Sequence, residues 1–301
     1  MSQGGDSARA VIYALGANFA IAIAKYAAAA VTGSGSMLAE AVHSTADCGN
    51  QLLLLLGLKR SRRKATLDYP LGFGKETYFW SFMVAIMLFS VGGMFSIYEG
   101  WHKLRHPEEL SHPLLALGVL AFGLGAESFS MWGALREVNK ARGAAGLWSW
   151  FGTSRNSELV VIVAEDLAAL LGLALAFVAV LATWLTGNPA FDALGSIAIG
   201  ALLVVVAVAV AVQVKAMLIG QGVEPSVRAH MLGWLEEQAA VEKILDLLTL
   251  HMGGDVMVAV KAKMRPQGSV DALVDEINAI EAAFKIRFPQ TQWIFFEPDV
   301  R

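Results

Sequence analysis

Apolar residues dominate six stretches of this chain, at 9–31, 37–58, 78–100, 113–135, 157–185 and 191–214. At 1.5 Å per residue each is long enough to cross the roughly 30 Å apolar core of a bilayer as a helix. Six membrane helices are therefore expected within a unit covering residues 1–220. From 221 the pattern changes, with charges at Glu224, Arg228, Glu236, Glu237, Glu242 and Lys243 and no apolar run of spanning length. Periodicity there predicts a helix over 226–240, strands over 244–252 and 255–264, a helix over 269–287 and a strand over 291–297. That order suits a helix-backed antiparallel sheet. The expected fold is thus an α-helical membrane protein with a C-terminal α+β domain of ferredoxin-like type over 221–301.

Composition agrees with this reading: of 301 residues 56% are apolar and 16% charged, with a formal net charge of −3. Basic residues are not interleaved with aromatics on any one face, which argues against a nucleic-acid partner. They do mark topology. Lys59, Arg60, Arg62, Arg63, Lys64 and Lys75 lie between the second and third spans, Arg136, Lys140, Arg142 and Arg155 between the fourth and fifth, and Lys215 at the end of the sixth. The other side has only Lys103 and Arg105. The positive-inside rule then places both termini and the soluble domain in the cytoplasm. The N-terminus lacks a basic region, short apolar run and small-residue cleavage site, so the first span is expected to be retained. A compact chain without a transit segment suggests a bacterial inner membrane. Trp80, Trp101, Trp132, Trp148, Trp150 and Trp184 fall near span ends, as in an aromatic belt.

Against this background, ionisable residues within the spans call for an explanation, because each costs about 2.5–3.5 kcal/mol at mid-bilayer. The second span carries Glu40, His43, Asp47, Asn50 and Gln51, whose spacing places most of them on one helical stripe. The fifth span carries Glu165 and Asp166. These neighbours point about 100° apart, so both face inward only if the site is broad or one serves a neighbouring helix. His43 and Asp47 joined to Asp166, with or without Glu165, make one nitrogen and two or three oxygens. That set suits Zn²⁺ and tolerates Mn²⁺, Fe²⁺ or Co²⁺, and its lack of thiolate argues against Cu(I). Ligands must lose their protons to take a divalent ion, so metal and protons compete, and in helices that rock between two faces this competition becomes antiport. His43 is the natural proton carrier, since imidazoles titrate near neutrality. Lys25, in the first span, is expected to pair with a carboxylate or to snorkel. Glu99 and Glu127 are candidates either for a cation path or for helix packing. Cys48 has no partner for a disulfide and reads as a small core residue. Ser44 points about 100° away from His43, so no nucleophile and base stand at reactive spacing and no enzyme is expected.

These residues resemble the cation diffusion facilitator family. The likeness rests on Thr32-Gly-Ser-Gly-Ser36 leading into Ala39-Glu-Ala-Val-His43-Ser-Thr-Ala-Asp47, on Gly72-Phe-Gly74-Lys75-Glu76, and on Asp166 followed by Gly172. Asp47-Cys-Gly-Asn50-Gln51, Tyr69-Pro-Leu-Gly72-Phe73, Glu165-Asp166-Leu-Ala-Ala169 and Gly187-Asn-Pro-Ala-Phe-Asp192-Ala-Leu-Gly195 resemble the branch containing the animal mitochondrial zinc transporter. The resemblance implies a homodimeric, proton-coupled exporter of divalent metal, chiefly zinc, with a transport site built from the second and fifth spans.

The chain departs from that family at three places. The usual histidine four residues before the fifth-span aspartate is Ile162. Loop positions often held by histidine are Tyr69 and Phe73, leaving Asp68 alone. The last strand has Phe295 where many members place a histidine, so His230, His251, Asp255 and Glu297 remain as scattered cytoplasmic candidates. With one imidazole fewer, the site leaves open an exporter of Mn²⁺, Fe²⁺ or Co²⁺. A non-transporting scaffold subunit is the other alternative, and the retained intramembrane ligands speak against it. The soluble domain is expected to serve dimerisation, with Phe284, Phe288, Trp293, Phe295 and Phe296 supplying apolar area.

Overall fold

The structure, a computed structural model, describes residues 3–107, 109–143 and 146–300, with the backbone alone described over 3–14 and at 16, 17 and 141. Helix α1 (Gln3–Thr32) and helix α2 (Gly35–Ser61) are followed by α3 (Glu76–Met87), which runs through a π-helical turn at Leu88–Met94 into α4 (Phe95–Arg105) as one rod. Then come α5 (Pro113–Ala141), a short α6 (Leu147–Thr153), α7 (Ser157–Thr186) and α8 (Ala190–Ile219). Among the described residues, four rods are long and apolar enough to cross a membrane: Glu76–Arg105, Pro113–Lys140, Ser157–Thr186 and Ala190–Ile219. The ionisable stripe lowers the apolar character of α2, which is 27 residues long, and α1 contributes an apolar stretch at Asn18–Thr32. Large apolar side chains such as Phe122 and Phe129 are 69% and 73% exposed, the outer surface expected of helices that pack on one face and meet lipid on the other.

Small residues bring the rods together. α8 packs against α4 and α7, α7 against α5, and α2 against α1, α3 and α7. A Cβ added at Gly200 of α8 would lie 2.6 Å from the Gly93 carbonyl, and one at Gly100 of α4 would lie 2.6 Å from the Ala193 carbonyl. Backbones therefore touch where a larger residue would hold them apart.

The start of α2 is anchored to α8. Gly33, at a φ of +69°, ends α1 in the left-handed conformation that glycine adopts without penalty. Ser34 then caps α2 by accepting from the Met37 N–H at 3.1 Å. Asp192, 5% exposed in the first turn of α8, accepts from the Ser34 hydroxyl at 2.7 Å, the Gly35 N–H at 2.5 Å, the Ser36 N–H at 3.3 Å and the Ser36 hydroxyl. One carboxylate thus satisfies the free amides at the positive end of α2.

The C-terminal unit comprises α9 (Pro225–Glu236), β1 (Val241–Met252), β2 (Asp255–Met264), α10 (Val270–Arg287) and β3 (Thr291–Pro298), with sheet order β1-β2-β3. β1 and β2 form an antiparallel hairpin, but β2 and β3 run parallel. The antiparallel expectation is corrected on physical grounds: α10 is a crossover that returns the chain to its starting edge, which makes the next strand parallel. Alternate residues of β2, Val256, Val258, Val260 and Ala262, are buried with Met231 and Leu235 of α9 and Ile280 and Phe284 of α10. Phe295 points outward from β3 and is 56% exposed.

This unit touches the membrane helices through the β1–β2 turn. The Tyr78 hydroxyl donates to the Gly253 carbonyl at 3.3 Å and accepts from the Gly253 N–H at 3.1 Å, while Arg155 Nε donates to the Gly222 carbonyl at 2.9 Å. A second correction concerns Trp150. It is 5% exposed, packed with Val138 and Val160, because α6 folds back between α5 and α7. Trp101, Trp132, Trp148 and Trp184 are exposed.

Gly200→Ala is expected to lower the midpoint of thermal unfolding in detergent, by the about 1–3 kcal/mol that overpacking costs. Gly125→Ala, which meets nothing within 4 Å, should leave the midpoint unchanged or raise it. Equal midpoints would show that α4 and α8 tolerate a side chain between them.

Candidate metal centre

Four helices enclose a cavity of about 30 Å³, the volume of about one water molecule. Its walls are Asn18 and Ile21 of α1, Ser44, Asp47 and Gln51 of α2, Glu127 and Ser130 of α5, and Glu165, Asp166 and Ala169 of α7. Successive turns of α2 supply its polar stripe, with Glu40, His43 and Asn50 fully buried. The adjacent pair on α7 is accommodated because α7 sits between two neighbours. Glu165 turns toward α2, where its Oε1 accepts from Asn50 Nδ2 at 2.5 Å. Asp166 turns toward α5, where its Oδ2 accepts from the Ser130 hydroxyl at 3.2 Å.

Three of the sequence candidates, Asp47, Glu165 and Asp166, therefore line one cavity. His43 does not line it. Its Nδ1 stands 3.6 Å from Asp47 Oδ1, too far for a hydrogen bond. Among the described residues no three His, Cys, Asp or Glu side chains are grouped as they would be to hold a metal ion. What the cavity and the α2 stripe beside it offer instead is unpaired polar atoms. Asp47 Oδ1, Gln51 Oε1, Asn50 Oδ1 and both His43 ring nitrogens are shielded from solvent without a hydrogen-bond partner. Such atoms carry a desolvation cost in apolar surroundings, and a cation coordinated by oxygens and an imidazole would relieve it.

Glu127 belongs to this cavity, which settles its placement but was not decided by its position in the sequence. Gln51 was visible in the α2 stripe. Ser130 gave no signal, since an isolated serine in an apolar helix usually bonds its own backbone. Lys25 pairs with a carboxylate as expected: its Nζ donates to Glu40 Oε2 at 3.2 Å and to the Ser44 hydroxyl at 2.7 Å, with the side chain 1% exposed. Cys48 is buried and free and does not reach the cavity. Ile162 is 39% exposed and faces outward.

Outside the membrane helices the remaining candidates do not converge. Tyr69 and Phe73 pack their rings 4.6 Å apart, with the Arg63 guanidinium over Phe73. His230 is exposed, and Glu297 pairs with Lys261 at 3.5 Å. His251 and Asp255 line a cavity of about 640 Å³ between the C-terminal unit and the membrane helices. Burial pushes the His251 imidazole below its ordinary value and outweighs the opposing effect of the Gly253 backbone, which the ring faces as a donor.

Comparison with known proteins identifies the family. Residues 11–219 match the model of the cation efflux transmembrane domain. The chain is 33% identical over 265 residues to a protein of Xenopus laevis named proton-coupled zinc antiporter SLC30A9, mitochondrial, covering 84% of this chain and 47% of that one. It is 33% identical over 244 residues to metal tolerance protein C4 of Arabidopsis thaliana, covering 80% and 53%. Magnetosome protein MamB of Magnetospira sp. is 23% identical over 235 residues, covering 75% and 72%. The chain spans about half the length of the first two relatives. The matched family consists of transporters rather than enzymes. A multi-pass bundle with a polar cavity between its helices, matched by this family model over most of its length, belongs to the cation diffusion facilitator family, near the branch that holds the mitochondrial zinc antiporter.

Proposed function

We propose that this protein exports divalent metal, zinc foremost, in exchange for protons by alternating access. His43, Asp47 and Asp166 are the binding residues, and Glu165 is a fourth ligand or a brace held by Asn50. The observation that carries this reading is the cavity itself, where carboxylates from three helices meet shielded acceptors that lack a donor. An arriving cation supplies the missing partner and draws Asp47, Asp166 and the neighbouring imidazole around it. Each ligand gives up its proton to do so, so a rising proton concentration on either side drives the metal off. The name of the Xenopus laevis relative supports the same pairing of zinc with protons.

Six membrane spans fit this reading, with α1 and α2 joining the four apolar rods, and so do cytoplasmic termini under the positive-inside rule. The C-terminal unit is assigned as a cytoplasmic ferredoxin-like domain that dimerises the protein, with exposed Phe295 on an edge strand as part of the contact. A bacterial inner membrane remains the proposed location, while the curated relatives from animals are named as mitochondrial. A second reading, export of Mn²⁺, Fe²⁺ or Co²⁺, is favoured by one feature: the cavity wall supplies carboxylate and amide oxygens, and the imidazole stands behind Asp47.

Uptake of Zn²⁺ into proteoliposomes under an imposed pH gradient is expected to follow the gradient. Asp47→Ala or Asp166→Ala should reduce it to background while the protein remains folded and dimeric, and normal zinc flux in either variant would refute the assignment. His43→Asp removes the imidazole. Its expected effect is a shift in preference from Zn²⁺ toward Mn²⁺, read by running the assay with Zn²⁺, Mn²⁺, Fe²⁺ and Co²⁺ in turn. Unchanged selectivity would exclude His43 from coordination.

A further inference from the structure

One turn beyond the cavity, toward the α1–α2 turn, each of its four helices contributes to a second polar layer. α1 supplies Lys25 and α2 supplies Glu40. α5 and α7 supply glycines: a Cβ at Gly172 would lie 2.5 Å from Glu40 Oε1, and one at Gly123 would lie 3.7 Å from Lys25 Cε. The helices leave space here for two charged side chains with 1% and 0% exposure. The ammonium is one hydroxyl away from the cavity, because Ser44 accepts from Lys25 at 2.7 Å and also lines the cavity wall.

If the layer were simply a means of joining α1 to α2, its acceptors should be satisfied, since a buried ion pair is favourable only when its remaining lone pairs are engaged. They are not. Glu40 Oε1 has no hydrogen-bond partner, and His43, three residues along the same face and fully buried, has none at either nitrogen. The layer therefore contains a carboxylate oxygen and an imidazole with unused coordination capacity, beside a lysine on a flexible stem.

We propose that Glu40 is a further binding residue of the cation path, a second station shared with His43, which Lys25 fills as a resident cation until a divalent ion displaces it. The inference rests on the transport reading and deepens it. Lys25 closes the path behind the cavity while the cavity is empty. An incoming divalent ion repels the ammonium, Lys25 swings aside on its stem, and Glu40 and His43 receive the metal. When the metal moves on, Lys25 returns, so the carboxylate always has a positive partner and never stands bare in apolar surroundings.

The test uses the full-length protein with both charges removed, Lys25→Met with Glu40→Gln, because removing one alone strands the other while removing both is often tolerated. Zn²⁺ affinity is measured in detergent by competition with a fluorescent chelator, and Zn²⁺ flux in proteoliposomes under a pH gradient. The expected result is wild-type affinity with flux reduced by about tenfold or more, the scale of effect seen when groups supporting a metal site are removed. A purely structural pair would give wild-type flux once the neutral variant folds, and that outcome overturns the proposal. So does a parallel loss of affinity and flux, which would make the pair part of the cavity. If the double variant does not fold, Lys25→Gln with Glu40→Gln, whose amides can hydrogen-bond each other, is read by the same criteria. Absence of flux in the wild type would remove the transport reading and this inference together, whereas wild-type flux matched by the neutral variant removes the inference alone.

Discussion

Inside an apolar bundle every polar group must find its partner within the protein, and the arrangement of this molecule follows from that constraint. Asp192 meets it for the free amides at the start of α2. Asn50 meets it for Glu165 and Ser130 for Asp166, which holds α7 at a fixed rotation between α2 and α5. Lys25 meets it for one oxygen of Glu40. Among the described residues, the groups left without a partner include Asp47 Oδ1, the Gln51 and Asn50 amide oxygens, the His43 ring and Glu40 Oε1, all on the polar stripe of α2 in and beside one small cavity.

Much of this was legible in the amino-acid order. The long rods were readable because continuous apolar runs have few alternatives to a helix, and the α2 stripe was readable because its spacing of three and four residues follows the helical period. The pairing of Lys25 with a carboxylate followed from the cost of a bare ammonium in such surroundings. What escaped depended on neighbours distant in the chain. Nothing local in Glu127 distinguishes a cavity wall from a packing contact, since only the rotation of α5 against α7 decides it. Nor does the amino-acid pattern of β2 and β3 reveal their relative direction, because a parallel and an antiparallel strand bury the same alternate residues. Trp150 was misplaced for a related reason: a tryptophan beside a span is usually interfacial, and the short α6 that turns it inward has only seven residues of weak signal. The division of labour between Glu165 and Asp166 had been narrowed to a broad site or two neighbouring helices, and the fold supplies both, through Asn50 on one side and Ser130 on the other.

The glycines show how close packing and chemistry are joined. Gly93, Gly100 and Gly200 let α4 and α8 approach until their backbones meet, while Gly123 and Gly172 do the reverse and leave room for the charged layer beyond the cavity. The same residue type acts as a contact in one half of the bundle and as a space in the other. Which role it takes is set by what the facing helix brings.

The π-helical turn at Leu88–Met94 has an effect on the rod that contains it. A single π turn amounts to one extra residue wound into an α-helix, so the side chains of α3 and those of α4 are no longer in phase. α3 packs chiefly on α2 and α4 chiefly on α8, although each also meets the other helix. The rod therefore behaves as two screws of the same pitch joined with an offset, so one unbroken helix gives its larger contact to α2 along α3 and to α8 along α4.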